Sequence, residues 1–483
     1  MSVHPGRSRG RDRNLARIWG TIATARSRPR ADGLPPGPRT PAPWQTLRLA
    51  HDWVGFLQDC RRRYGDTFTV NFSGFGPTLY VSDPDVASAV MQGDPDLFQA
   101  GPARAILEPV VGRRSVLVLD GEEHLRERKL LLPSFQGNHV RVHERMMEEI
   151  TEADMAGWPH GERFALRPHL QAITLEVIVR AVFGIADPAA RARLRPALTR
   201  LLDAGTWVSV LPVLPDRLEE WARRTWLDGR RRAVDEQLYA HIAARREEER
   251  RAEGDRAAAG GNGAPVGGDG APAHDDVLAL LMSARDEDGR ALDDEALRDE
   301  LVTILTAGHE TTANALAWAF ERLVRHPDAM ARLLAELDDD PAGGPYLDAV
   351  VRETLRVRPV LGDTGRILSA PAEVDGWQVP AGIMVAPALC LVNLDPDVHP
   401  DAEAFRPQRW LDGSPPPRSW VPFGAGRRSC LGAGFAMFEM KVVIRTVLRR
   451  LALRQARPGD ERMKLRNITL TPGRGAEVIA APR

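Results

Sequence analysis

The chain has 483 residues, 43% of them hydrophobic, with a formal net charge of −1. That is ample apolar material for a large buried core, and the near-neutral balance excludes the global basic signature of a nucleic-acid binder. Its three cysteines, Cys60, Cys390 and Cys430, show no Cys-x-x-Cys spacing and cannot all pair, which suits a reducing cytosol and points to a cytoplasmic protein.

Residues 1–33 carry eight Arg against two Asp and read as a flexible basic extension. Within it Leu15, Ile18, Trp19 and Ile22 fall at i, i+3, i+4 and i+7. That is the pattern of a short amphipathic helix able to make peripheral contact with an anionic membrane, although a disordered extension is the plainer reading. No apolar stretch of a secretory signal precedes it. Leu34-Pro35-Pro36-Gly37-Pro38 then stiffens the lead into one folded body, residues 34–483.

The alternation Thr67-Phe68-Thr69-Val70-Asn71-Phe72, followed by Leu79-Tyr80-Val81, predicts short strands, and helical periodicity dominates after it. The segment Asp120–Arg128 puts His124 and Arg128 at i, i+4 on one helix face. Residues 251–273 are rich in Gly, Ala and Pro between long helices, which predicts a mobile surface insert and not a domain boundary. Further strands are expected near 370–392 and 463–481. The longest uncharged stretch, Gly376 to Leu394, is interrupted by Pro380, Gly382 and Pro387 and reads as strand and turn, not as a transmembrane segment.

Asp293-Asp294-Glu295 suits a helix start and Pro327 ends the pattern. The helix between them would be ~50 Å long at ~1.5 Å per residue. At its centre stands Ala307-Gly308-His309-Glu310-Thr311-Thr312, small and polar residues that are costly mid-helix unless they have partners or work. Glu353 and Arg356 share the next helix face, Arg366 follows, and Phe405-Arg406-Pro407-Gln408-Arg409-Trp410 leads to Phe423-Gly424-Ala425-Gly426-Arg427-Arg428-Ser429-Cys430-Leu431-Gly432. Glycines let the main chain curl around the Cys430 sulfur, and the helix pattern from Ala433 points its N-terminus at it.

The last segment matches Phe-x-x-Gly-x-Arg-x-Cys-x-Gly at every fixed position, and the chain resembles the cytochrome P450 family, most like bacterial members acting on fatty acids and terpenoids. Its four principal motifs occur in the family's order over nearly the whole folded body, with Gln408 where Glu is usual. The resemblance implies a mainly α fold with small β-sheets forming a single haem domain. It implies haem b held by the Cys430 thiolate on iron, with Phe423 shielding that ligand and Ala307 leaving room for the flat cofactor. His124, Arg128, Arg366 and Arg428 would hold the propionates, and Glu353, Arg356 and Arg409 a structural triad behind the haem. Thr311 and Glu310 would be catalytic, meeting dioxygen and relaying protons.

The implied reaction is monooxygenation of a lipophilic substrate (a fatty acid, terpenoid or polyketide-like molecule). A ferredoxin and ferredoxin reductase would supply electrons, docking near Arg126, Lys129, Arg427, Lys441 and Arg445. By family position, Gly101–Val111 would give the loop over the haem and Trp207–Leu214 the access-channel roof. Val360, Leu361, Asp363 and Thr364 would line one wall and Ile468 another. Asp363 would either meet a polar or cationic group or, more plainly, be a turn residue before Gly365. Three other readings stay open. A peroxide-using haem-thiolate enzyme has no need of Glu310-Thr311, nor has an isomerase or dehydratase, and a non-enzymatic haem sensor has no use for a proton relay.

Overall fold

The computed structural model describes residues 33–208, 221, 225, 227–258, 276–413, 415–416 and 418–483. The expected helix at Leu15–Ile22, most of Trp207–Leu214 and residues 259–273 of the insert lie outside the described residues. Its helices include α1 (Ala42–His51), α2 (Trp53–Tyr64), α3 (Gly121–Leu131), α4 (Glu144–Met155), α5 (Arg167–Ala181), α6 (Asp228–Ala258), α7 (Asp294–Leu323), α8 (Pro345–Val357) and α9 (Ala433–Arg450). Helix α6 runs through Ala258, so the first third of the expected insert is helical. Among the described residues no helix is long and apolar enough to cross a membrane.

Helix α7 organises the molecule. Asp293 caps it by accepting the Ala296 N–H at 2.8 Å, and an acidic first turn complements the helix dipole. Leu297, Leu301, Ala313, Leu316, Phe320 and Leu323 are all fully buried in the main core, which surrounds the helix on more than one face. Helices α5, α8 and α9 pack on it.

The strands form four separate sheets. β1 (Thr67–Phe72) and β2 (Gly76–Val81) form an antiparallel hairpin. Further strands are β3 (Phe98–Gln99), β4 (Arg163–Ala165), β5 (Arg366–Leu368), β6 (Ala372–Val374), β7 (Trp377–Val379) and β8 (Met384–Pro387). The larger sheet runs β1-β2-β8-β5-β3, with β8 parallel to β2. Beyond α9 come β9 (Leu451–Gln455), β10 (Met463–Arg466), β11 (Thr469–Pro472) and β12 (Glu477–Pro482), where β10 and β11 form a hairpin against α7. The strand expected to reach residue 392 stops at Pro387. Leu389–Asn393 is a short buried helix instead, because the Cys390 N–H turns to Gly362 O at 3.0 Å and leaves the sheet. Mainly α with small sheets is the fold observed.

Candidate functional site

The Cys430 loop is tied to itself: Cys430 N–H donates to Phe423 O at 2.9 Å and Ser429 N–H to Gly426 O at 3.0 Å. Gly426 has φ +69°, and a Cβ there would stand 2.8 Å from Met91 O, so only glycine fits. The Cys430 side chain is exposed although protein surrounds it on nearly all sides, which places its sulfur against open interior space. Burial pushes the thiol up, while the Gly432 N–H and the Arg128 charge pull it down. Helix α9 starts three residues on and adds its positive end. Cys60 and Cys390 are buried small groups whose thiols burial pushes up, as expected of inert cysteines.

Cations converge beside the loop. Arg128 Nη1 donates to Ser429 O at 2.8 Å, and Arg428 donates to Val116 O at 2.9 Å and to Leu119 O and Asp120. Arg366 reaches the Thr364 hydroxyl at 3.2 Å and Arg104 reaches the same oxygen at 3.0 Å. Burial, with Arg366 and Arg428 adding to it, pushes Arg104 down to about 9, and burial with Arg428 pushes Arg366 to about 10. His124 is pushed down to about 3 by burial and then by Arg428, Arg128, Arg104 and Arg366. Thus, among the described residues, four guanidiniums and an imidazole gather about the carboxylate of Asp120, which also accepts the Ala100 and Gly101 N–H groups. So lopsided a buried charge is costly without further anions. The donor set fits a cofactor with two carboxylates, as haem has.

Sequence reasoning had placed His124, Arg128, Arg366 and Arg428 here and the structure brings them together; it missed Arg104. The only signal was one charge inside the apolar run Pro102-Ala103-Arg104-Ala105-Ile106-Leu107, with no spacing pattern to lift it.

On the central helix, Ala307 is exposed midway along an otherwise buried element, so it too faces interior space. Gly308 does not share that face: a Cβ there would lie 3.2 Å from Ile178 of α5, so this glycine serves helix packing. The Thr311 hydroxyl donates back to Ala307 O. Glu310 points its carboxylate at Arg167 (3.0 Å) and Asn467 (2.8 Å). One segment ties helix to loop: Asp299 accepts Arg114 N–H at 2.9 Å, Glu300 accepts Val116 N–H at 2.6 Å, and Thr303 donates to Ser115 Oγ at 2.6 Å. Val116 O in turn receives Arg428. Phe423 is half-buried and packs on Trp420.

Glu353 and Arg356 are fully buried in a bidentate pair at 2.9 Å, and Arg409 joins at 3.0 Å. Arg406 N–H and Trp410 Nε1 also donate to Glu353. Burial works to raise its carboxyl, but Arg356, then the Arg406 N–H and Arg409, hold it below the usual range. Asp363 accepts the Tyr80 hydroxyl at 2.7 Å, so its carboxyl is tied to β2. The expected docking cations are mostly spoken for: Arg126 pairs with Asp286, Lys129 with Glu287, Lys441 with Asp348, and Arg445 with Glu144 and Glu148. Arg427 stays exposed.

The profile of the Cytochrome P450 family matches residues 35–478. A protein named putative cytochrome P450 135B1 from Mycobacterium tuberculosis (strain ATCC 25618 / H37Rv) is 42% identical over 452 residues, covering 92% of this chain and 91% of that protein. Putative cytochrome P450 138 of the same strain is 35% identical, covering 96% and 99%. Among solved structures, retinoic acid bound cyanobacterial CYP120A1 superposes with a TM-score of 0.77 at 24% identity, covering 93% of this chain and 100% of that one. The cytochrome P450DA heme domain superposes with a TM-score of 0.78 at 22% identity, covering 93% and 97%.

Proposed function

As the chain belongs to the cytochrome P450 family, we propose that it binds haem b through the Cys430 thiolate and oxygenates a lipophilic substrate. The observation that carries the reading is the pairing of Cys430, open to the interior, with four guanidiniums short of carboxylates beside it. When bound, haem supplies the oxygen activation, by which one atom of dioxygen enters the substrate and the other leaves as water.

The chain's own residues do the rest. Iron binding needs Cys430 as thiolate, and the Gly432 N–H, Arg128 and the positive end of α9 all favour that form against burial. Arg104, Arg128, Arg366 and Arg428, with His124, supply donors for two propionates. Ala307 keeps the helix surface flat, and Phe423 covers the ligand loop from solvent. Thr311 sits one turn beyond Ala307 with a hydroxyl that can turn from its backbone acceptor toward a proton acceptor in the cavity. Glu310, its neighbour, is the acid that restores that proton.

A lipophilic substrate suits the apolar side chains of Ile106, Ile304, Val360 and Leu361, all partly buried. We assign the electron supply to a ferredoxin and ferredoxin reductase. The cytoplasm supplies that donor system, and the buried unpaired Cys60 and Cys390 suit its reducing conditions. The test is turnover of a fatty-acid and terpenoid panel, followed by mass spectrometry, with dioxygen and a ferredoxin system or with hydrogen peroxide alone. We expect products one oxygen atom heavier in the first condition. Oxygenation that runs only on peroxide, or no product in either, would overturn the reading.

A further inference from the structure

We propose that Asp363 is a specificity-determining residue, whose carboxylate faces the substrate cavity and selects apolar molecules that carry a protonated amine. The inference rests on the monooxygenase reading above and narrows the substrate class within it.

The segment that carries Asp363 is pinned on every side. Val360 O accepts the Leu470 N–H of β11 at 2.8 Å, and Gly362 O accepts the Cys390 N–H at 3.0 Å. Thr364 N–H donates to Pro387 O at the end of β8 at 3.2 Å, while its hydroxyl oxygen accepts Arg104 and Arg366. Neighbours also press on the main chain: a Cβ on Gly362 would stand 2.2 Å from Trp53 Nε1, and one on Gly365 2.7 Å from Met384 Sδ. A backbone so confined fixes where Asp363 stands, one residue from the guanidinium cradle and two from the apolar side chain of Leu361.

The carboxyl itself is half-used. Oδ2 accepts the hydroxyl of Tyr80, a fully buried and therefore fixed donor, at 2.7 Å. Oδ1 has no hydrogen-bond partner among the described residues. An aspartate that serves its own turn accepts a backbone N–H about two residues on, and Asp363 accepts none among the described residues. The residue is half-exposed although protein surrounds it on all sides, so, like Cys430, it faces interior space. Arg104 and Arg366 meet its neighbour Thr364, yet the acid that acts on both is Asp120.

An interior carboxylate without a cation is costly, and a ligand that brings the cation removes that cost. A free fatty acid would bring a like charge and is disfavoured, whereas an organic ammonium on an apolar body meets both the acid and the lipophilic walls. The site is also built to titrate. Burial pushes the Asp363 carboxyl up to about 6, with only the Tyr80 hydroxyl working the other way. The groups packed around the pair, the Tyr80 phenol and the thiols of Cys390 and Cys60, are all pushed up by burial and stay neutral near pH 6. Ammonium affinity is therefore full above about pH 6 and falls by up to roughly ten-fold per unit below it, as a proton takes the cation's place.

The test is titration calorimetry of the purified haem-loaded protein with decyltrimethylammonium, decanol and decanoate, from about pH 7.5 to about pH 5. The quaternary probe keeps its charge throughout and cannot ligate iron. Wild type should bind it roughly ten-fold or more tighter than decanol at the upper pH and lose that preference at the lower. Asp363→Asn should abolish the preference and its pH dependence, leave decanol unchanged and bind decanoate better. Tyr80→Phe keeps the acid but removes its donor, so the midpoint should move upward. Equal affinity of wild type for decyltrimethylammonium and decanol, or one pH profile shared by wild type and both variants, would overturn the inference while decanol binding leaves the lipophilic reading standing. Binding of none of the three probes would overturn the lipophilic reading and this inference with it.

Discussion

Arg104 shows what a single side chain can reveal that a motif cannot. It donates to Thr364, has no ion pair among the described residues, and is pushed down to about 9 by burial and then by Arg366 and Arg428, with only the charge of Asp120 working the other way. A cation held so unfavourably implies an anion that completes the site. Arg104→Gln should therefore speed haem loss to apomyoglobin by roughly 10- to 100-fold, from about 1.5–3 kcal/mol for a hydrogen bond to a charged group. Arg104→Lys should restore part of the effect, and unchanged haem loss in both variants would remove Arg104 from the cradle. His124, Arg128, Arg366 and Arg428 were legible in the sequence because helix spacing or a motif position marked them. Arg104 was not, because its part depends on tertiary contacts across residues 104, 120, 364 and 428. Glu310 is the reverse case: its place on the helix was legible, but the Arg167 and Asn467 that hold it come from α5 and the β10–β11 turn, far away in sequence.

At the scale of elements, α7 was read almost to the residue, since a capping Asp and a terminating Pro are local signals. Leu389–Asn393 was not, because an uncharged run with β-branched residues looks the same whether it joins a sheet or turns away to Gly362. Helix α9 holds a feature that periodicity hides. Glu439 is buried, its Oε1 has no partner among the described residues, and burial alone pushes its carboxyl up to about 8. The unfolded chain sheds that proton above about pH 4.5, whereas the folded protein keeps it to about pH 8, so stability falls as pH rises between the two. Glu439→Gln stays neutral throughout. Its melting temperature relative to wild type should climb from pH 5 to 8, by the equivalent of roughly 3 kcal/mol at pH 7, taking about 1.4 kcal/mol per pH unit. A difference that does not vary with pH would show that Glu439 is ionised in the fold.

For the whole molecule, the predominance of helix and the order of the motifs were legible, because hydrophobic period and fixed spacings survive without coordinates. It could not show how surface charge is spent. Arg126, Lys129, Lys441 and Arg445 were expected to greet an acidic electron donor, yet each is paired with an acid of this chain. Arg427 is exposed in the Cys430 loop, and we propose it as the cation that steers the donor. Arg427→Glu should slow reduction by ferredoxin several-fold at low salt, and the loss should shrink as the screening length falls from ~10 Å at 0.1 M to ~3 Å at 1 M. An equal rate at low salt would place the donor elsewhere.

The proposed function stands or falls on thiolate ligation by Cys430. The most direct test is the carbon monoxide difference spectrum of the reduced protein, compared with that of Cys430→Ala. The account predicts a strongly red-shifted Soret band that the variant lacks. A band at the position typical of imidazole ligation, or the same red-shifted band in both proteins, would contradict it.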